Sequence, residues 1–513
     1  MKQANRMKQI KSLQTGKHLF IMTVILMTFF SHSWAQEPRK PLVKSYQLDV
    51  SFFPDAYLDY AGLIEVLSGQ RPGWNKEDSV KNYPHMKGKA VIVIDFGHAP
   101  KDSLTFYLHS ELGVHDIKLG ESPLKFSQNT VFYPSNYSMV ANQVTLKLNQ
   151  VSGTHPLSIV YGGVFSPSYS SSPSNYMRID NQGAYLRSYG YSLWFPVLIE
   201  AQNDTPVVDF IELKISTPES FRGVFTGQRV KEYTEGKLRT SLWRCEQKDI
   251  RDIQVTVRPY QINHRGGTYL YFLDNDKSRA ACEDIQAFVS RLAEFYSDHY
   301  KSTQKSPQLH VAELPNFASG ISSGNMIGMT SAQWQNFSLK DEDVSLKLLL
   351  AHELVHDYVQ LDVSVNSPLA ALVGEGFPSY FHLPALAEIL GEEFYHSYMK
   401  RVEKSYLERK KTKKTRWGSP LPEEKPILSI TWTDIGTYKD IFILNDRVRL
   451  FLNSIRTKLG KKRFQLFTQE LCNSPHLDLP TFYNLVEKYI PDSAQDMDIW
   501  LKTNQYPSRF HLR

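Results

Sequence analysis

The chain has 513 residues, 41% of them apolar, 12% aromatic and 22% charged. That composition suits a chain of several globular cores and excludes wholesale disorder and collagen-like repetition. The formal charge of +6 does not point to nucleic acid, because Lys2, Arg6, Lys8, Lys11 and Lys17 supply five positives with no acid among the first 35 residues, leaving the remainder close to neutral.

Those first residues read as a targeting segment. A basic stretch precedes the apolar run from Leu19 to Phe30, and Ser33-Trp34-Ala35 offers small residues at the spacing a signal peptidase uses. The run is too short for a comfortable transmembrane helix. Residues 1–35 are therefore expected to be a signal peptide, and the mature chain to be exported, periplasmic or extracellular, with no stable membrane span. Cys245, Cys282 and Cys472 are too few and too scattered for a disulfide framework or a zinc ribbon. They are expected to be buried apolar fillers, with one disulfide at most.

From residue 36 to 262 the pattern is short strands separated by turns. Tyr46-Gln47-Leu48-Asp49-Val50 alternates apolar and polar side chains, Val91 to Ile94 is β-branched throughout, and Gly, Pro, Asn and Ser cluster between such runs. This half is predicted to be an all-β domain. From residue 263 to 513 helical spacing takes over, first across Ala280 to Tyr300, then, after a strand at Leu309 to Leu314, in several long segments. The expected fold is α+β and multidomain, with the β domain preceding a mixed α/β domain.

The chemistry concentrates in His352-Glu353-Leu354-Val355-His356. It lies in an apolar stretch from Val344 to Gln360 with an acidic lead-in, Asp341-Glu342-Asp343, as expected of a helix with carboxylates near its positive end. Positions four apart share a helix face, so both imidazoles can meet one metal ion while Glu353 stands beside the open coordination position. Zinc hydrolysis needs those parts: neutral nitrogen ligands, and a carboxylate that takes the proton of the activated water without ligating the ion. The competing reading is two histidines on a buried helix, satisfied by backbone carbonyls. A chance match somewhere in the chain has a probability of about 0.02, so a third ligand has to decide. Glu375 follows His356 after 18 intervening residues, and a carboxylate at one preset position lowers the coincidence to about one in a thousand. The expected cofactor is one zinc ion held by His352, His356 and Glu375.

These residues resemble the signature of the gluzincin aminopeptidases, typified by aminopeptidase N and leukotriene hydrolase, in which the two-histidine motif is followed, 18 residues on, by Asn-Glu-Gly-Phe-Ala. Gly374-Glu375-Gly376-Phe377-Pro378 matches at its Glu-Gly-Phe core and departs on both sides. Trp194-Phe195-Pro196 looks like the end of that family's saddle-shaped β domain, and Tyr438-Lys439-Asp440 resembles the segment whose tyrosine stabilises the tetrahedral intermediate. The resemblance implies a saddle-like β domain, a thermolysin-like catalytic domain, Glu353 as general base and Tyr438 as oxyanion donor. A phenol suits that role, since charge builds on the carbonyl oxygen when a peptide bond is attacked.

The family's substrate-binding strand reads Gly-Ala-Met-Glu-Asn, and its glutamate clasps the substrate's free amine. Here the matching positions are Gly320, Ile321, Ser322, Ser323 and Gly324, so Ser323 stands where that acid belongs. A hydroxyl cannot pair with an ammonium group as a carboxylate does. Another acid, with Glu313 nearby in sequence, could receive the amine, or the requirement for a free amine could be relaxed, or the strand could run from Gly324 to Gly328, a register that offers no acid either. The chain also closes soon after Asp496 to Trp500, so the family's large C-terminal helical domain is not expected, and the cleft should admit longer substrates. The resulting expectation is an exported zinc metallopeptidase acting on peptides or proteins, aminopeptidase-like or with a relaxed amine requirement. The alternative is a peptide-binding or scaffold protein that keeps zinc for structure.

Overall fold

The computed structural model describes residues 42–54, 85–98, 100–133, 136–163, 177–187, 192–198, 207–250, 253–301, 307–316, 321–359, 361, 363, 367–412, 424–431, 441–474 and 476–506. The expected signal peptide, Gly320 and Tyr438 lie outside them.

The first half is all β. Its strands are β1 (Leu42–Phe52), β2 (Met86–Asp95), β3 (Lys101–His109), β4 (Leu112–Leu119), β5 (Ser122–Pro123), β6 (Phe126–Tyr133), β7 (Asn136–Val151) and β8 (Thr154–Gly163). They continue with β9 (Met177–Asp180), β10 (Gly183–Arg187), β11 (Val207–Pro218), β12 (Arg222–Phe225), β13 (Gln228–Glu235), β14 (Leu238–Asp249) and β15 (Gln254–Arg258). An eight-stranded sheet runs β13-β14-β11-β1-β2-β8-β4-β5, a four-stranded sheet β12-β15-β10-β9 and a three-stranded sheet β3-β7-β6. The period of two in β1 explains its place: Tyr46, Leu48, Val50 and Phe52 are buried while Gln47 and Asp49 face water. Trp194 and Phe195 sit fully inside this core and pack edge to face at 4.8 Å.

Five strands begin the second half: β16 (Tyr260–Arg265), β17 (Thr268–Leu273), β18 (Leu309–Leu314), β19 (Ile321–Ser323) and β20 (Met326–Thr330), in the order β16-β17-β18-β20-β19. The expected domain boundary after residue 262 falls inside β16, whose partner is β17. Nine α-helical segments among the described residues complete the domain: α1 (Asp276–Tyr300), α2 (Ser331–Gln335), α3 (Ser345–Val355), α4 (Pro378–Phe381), α5 (Leu383–Leu390), α6 (Glu392–Thr412), α7 (Ile441–Cys472, broken by a kink at Gly460), α8 (Leu479–Tyr489) and α9 (Ala494–Lys502). Local chemistry sets their ends. Asn275 caps α1 by accepting from the Ser278 amide at 3.0 Å, and Thr330 and Gln333 form a reciprocal capping box at α2.

The two halves meet across the five-stranded sheet. Tyr271, Ala312, Leu314 and Met326 face the core of the β half, whereas Leu270, Val311 and Ile327 face the helices. Hydrogen bonds then fix the relative placement: Arg258 of β15 donates to the Glu313 carbonyl at 3.2 Å, and Asn325 and Gly227 exchange a pair at 2.7 and 2.8 Å. All three cysteines are buried thiols, so none forms the disulfide left open by the sequence. No helix among the described residues is long and apolar enough to cross a membrane.

Fully buried Arg447 of α7 ties down the C-terminal segment. It donates to the carbonyls of Ile499, Trp500, Thr503 and Gln505 and pairs with Glu424 at 2.8 Å. Arg447→Ala would leave those carbonyls without their donor, while Glu424 keeps Lys410 at 3.3 Å and Tyr406 at 2.6 Å, and is expected to cost about 3–5 kcal/mol in urea denaturation. A loss below about 1 kcal/mol, the level of an exposed pair, would contradict the role given to Arg447.

Candidate metal centre

Helix α3 presents the first two ligands. Its buried side, Leu350, Ala351, Leu354 and Val355, packs into the helical core, and buried Tyr296 of α1 donates to the Ala351 carbonyl at 2.9 Å. The acidic lead-in acts as expected at the helix start, where the Asp343 carboxylate accepts from the Ser345 amide at 2.9 Å. The helix is shorter than the apolar stretch suggested. It ends at Val355, with His356 as its αR C-cap, and the amides of Asp357 and Tyr358 turn back to the carbonyls of Leu354 and Val355.

Glu375 comes from a π-helical turn, Leu372–Gly376, closed by the Phe377 amide donating to the Leu372 carbonyl at 2.7 Å. Pro378 follows as the first residue of α4, where no amide hydrogen is needed. Gly376 lets this turn approach α7, since a Cβ there would lie 3.1 Å from both the Leu372 and the Val448 side chains. The Glu-Gly-Phe core thus has a physical reason beside the ligand itself: Gly376 gives clearance, and fully buried Phe377 anchors the turn in the core.

One atom, His352 Nε2, stands 3.4 Å from His356 Nε2 and 3.5 Å from Glu375 Oε2. Four ligands bound at roughly 2.0–2.1 Å in a tetrahedron would be about 3.3–3.4 Å apart. One ligand atom from each residue lies within 4.8 Å of the others, and all three side chains are half-buried. The three residues fit a zinc ion in number, chemistry and spacing.

The electrostatics agree. Burial alone would lower the pKa of His352, but its hydrogen bond to Glu375 and the charges of Glu353 and Glu375 outweigh that and raise it. Burial would raise Glu375, yet His352, His356 and the more distant charge of Arg187 hold its carboxyl below the usual range. Without metal, a proton on His352 takes the place of a cation, and its raised pKa means that it competes already above the ordinary histidine range. Zinc affinity measured by chelator competition is therefore expected to fall between pH 8 and pH 6, by up to about tenfold per pH unit for each ligand histidine that protonates. A flat profile between pH 8 and pH 6 would contradict that coupling.

Glu353 is half-buried on α3, close enough to His352 for its charge to act on the ring. β19 is the terminal strand of the sheet and lies beside α3. Its Ser323 is buried, with Oγ 3.0 Å from Thr226 Oγ1 of the β half, while Ser322 is half-buried and Gly324 turns the chain at φ 54°. Met326 to Thr330, which the alternative register partly covers, is the interior strand β20. Glu313 is fully buried, with Oε2 accepting from the Leu273 amide at 2.9 Å, so it cannot receive a substrate amine.

Sequence reasoning did not single out His382. It is buried on the turn between α4 and α5, its Nδ1 donates to the Pro378 carbonyl at 2.8 Å, and its ring packs edge on to His352 at 5.6 Å. Burial, with the neighbouring His352 and Arg449, holds its pKa well below the ordinary value, so it stays neutral. The available signal was its spacing of seven residues from Glu375, about two helical turns. Arg449 of α7 completes this flank, donating to the Ser379 carbonyl at 2.8 Å and to Asp446 at 3.0 Å.

Comparison of the whole structure with solved ones places this architecture. The M1 zinc metallopeptidase of Deinococcus radiodurans superposes with a TM-score of 0.59 at 16% identity, over 91% of this chain and 95% of that one. A mutant of that protein bound to a Tyr-Ser-Ala substrate gives 0.60 at 14% identity, over 91% and 96%. The chain has the two-domain M1 metallopeptidase fold. A two-domain M1 mutant bound to L-arginine matches equally, with a TM-score of 0.60, 16% identity and coverage of 91% and 96%. No family model matches the sequence, and no curated protein matches it. At this identity the M1 likeness is one of fold, and the function has to be argued from the site.

Proposed function

We propose that this chain is an exported zinc-dependent peptidase that hydrolyses peptide bonds. The observation that carries the reading is the convergence of His352, His356 and Glu375 at tetrahedral ligand spacing, with a non-ligating carboxylate, Glu353, beside them. One zinc ion bound there would supply Lewis-acid polarisation of a carbonyl and acidify a water. Glu353 would accept a proton from the attacking water and return it to the departing amine. Tyr438 donates a hydrogen bond to the carbonyl oxygen as its charge develops, and β19 offers backbone groups of Ile321 to Ser323 to an extended substrate as an added strand would. Residues 1–35 direct export and are then removed.

Ser323 points to Thr226, so the position that carries the amine-binding acid in the resembled family serves the domain junction here. A strict requirement for a free amino terminus therefore has no carboxylate on this strand to enforce it, and N-acetylated peptides are substrates. The test is turnover of a mixed peptide library by the purified chain, with and without a chelator, followed by mass spectrometry. Chelator-sensitive cleavage is expected. Zinc bound in full occupancy with no peptide cut would favour a scaffold that keeps the ion for structure.

A further inference from the structure

The sheets of the β half treat their free edges differently. A terminal strand exposes amide and carbonyl groups to any passing strand, and proteins guard such edges with charge, proline, bulges or shortness. The eight-stranded sheet is guarded at both ends. β5 is two residues long and includes Pro123, while β13 carries Lys231, Glu232 and Glu235 and a register shift between Arg229 and Lys231. β6, at the end of the three-stranded sheet, is different. Phe126-Ser127-Gln128-Asn129-Thr130-Val131-Phe132-Tyr133 holds no charge and no proline, and its one register shift falls at the last residue. Among the described strands it pairs with β7 alone, and it is exposed from Phe126 to Thr130 and again at Phe132.

The pairing with β7 assigns the faces. Phe126 and Phe132 stand opposite Leu146 and Val140, so both phenylalanines lie on one face of the sheet, 37% and 70% exposed. Val140 beside Phe132 is exposed too. The strand is also symmetric in character about Asn129. Reading outward, Gln128 and Thr130 are polar, Ser127 and Val131 are short, and Phe126 and Phe132 are aromatic. A two-fold axis through Asn129, normal to the sheet, keeps each face on its own side. It sets Phe126 of one copy opposite Phe132 of the other, twice, and Asn129 opposite itself. An isologous contact brings every charge close to its own image, so a charge-free strand is what such a pairing requires. A phenylalanine buries about 150–250 Å², and the exposed parts of Phe126 and Phe132 together make about one ring per copy, so the dimer hides about 300–500 Å² through them alone. Backbone pairing adds to this, but the total stays below the roughly 1,600 Å² of a standard interface, as suits a reversible dimer and not an obligate one.

We propose that β6 is a self-association edge, at which two copies of this chain pair antiparallel about Asn129 into one continuous sheet. Because β6 belongs to the β half, this pairing is independent of the peptidase reading. Sedimentation velocity of the zinc-loaded full chain between about 1 and 200 µM should show a monomer in equilibrium with a dimer, half-dissociated in the micromolar range. Phe132→Lys sets an ammonium group against Phe126 of the other copy and should weaken association at least about tenfold. Its urea midpoint should be unchanged, since the replaced ring is mostly in water. Asn129→Cys tests the register. Opposed Cα atoms in an antiparallel pair are about 4.5–5.5 Å apart, within disulfide reach, so mild oxidation should cross-link this variant into a dimer. Ser127→Cys should stay uncross-linked, because its image lies about 13 Å further along the strand. The parent, whose cysteines are buried, is the control. A monomer at every concentration overturns the proposal and leaves the edge to a strand of some other protein. A dimer that Phe132→Lys does not weaken, or equal cross-linking of the two cysteine variants, overturns it as well.

Discussion

Glu353→Gln is expected to keep one zinc per chain and to lower kcat by about 10²–10⁴-fold, with little change in KM. The amide has the shape of the carboxylate, so the packing of α3 is preserved, but it cannot accept the proton of an attacking water. Glu353 stands between the two histidines in sequence and half-buried beside them in space, so it is not required to hold the ion. The substitution also removes one of the charges that raise the pKa of His352. Zinc should accordingly be retained to slightly lower pH in the variant than in the parent. Full activity in Glu353→Gln, with zinc bound, would remove the general base from the account.

Glu375→Ala should act on the metal first and on turnover as a consequence. Removing a residue that merely supports a ligand typically costs about 10–100-fold in metal affinity, and removing a ligand should exceed that. The carboxylate is the anionic member of the set, and it is held ionised, against its burial, by His352, His356 and Arg187. Without it the site has two neutral imidazoles and no neutralising charge, and His352 loses the hydrogen bond that raises its pKa. Competition with a chromophoric chelator at pH 7.5 measures the change directly. His382→Ala provides the graded comparison, since His382 touches His352 without ligating and should fall in the 10–100-fold range. Equal affinities for parent and Glu375→Ala would show that the carboxylate is not a ligand.

The parts of this site that local periodicity controls were legible in the sequence, and the parts set by tertiary contact were not. Two histidines four apart on an apolar helix fix their own geometry, and the 18-residue interval to Glu375 is a matter of counting. The π-turn that aims Glu375 is a different matter, since it depends on Gly376 packing against Val448 of a helix some 70 residues on. The early end of α3 at Val355 was hidden because Tyr358 and Val359 continue the apolar run and are buried, though outside the helix. Ser323 could be read as a serine at the position where the resembled family carries an acid, but its burial against Thr226 could not be read, because the two meet across the domain junction. The change from β to α periodicity was visible, whereas the placement of β16 in the second sheet follows from its pairing with β17.

Crystals of the zinc-loaded chain, with diffraction data collected on both sides of the zinc absorption edge, would locate the ion. One anomalous peak per chain is expected, about 2.0–2.2 Å from His352 Nε2, His356 Nε2 and a Glu375 carboxylate oxygen, with Glu353 outside bonding distance. A peak lacking the Glu375 oxygen, or one coordinated by a different set of residues, would contradict that coordination.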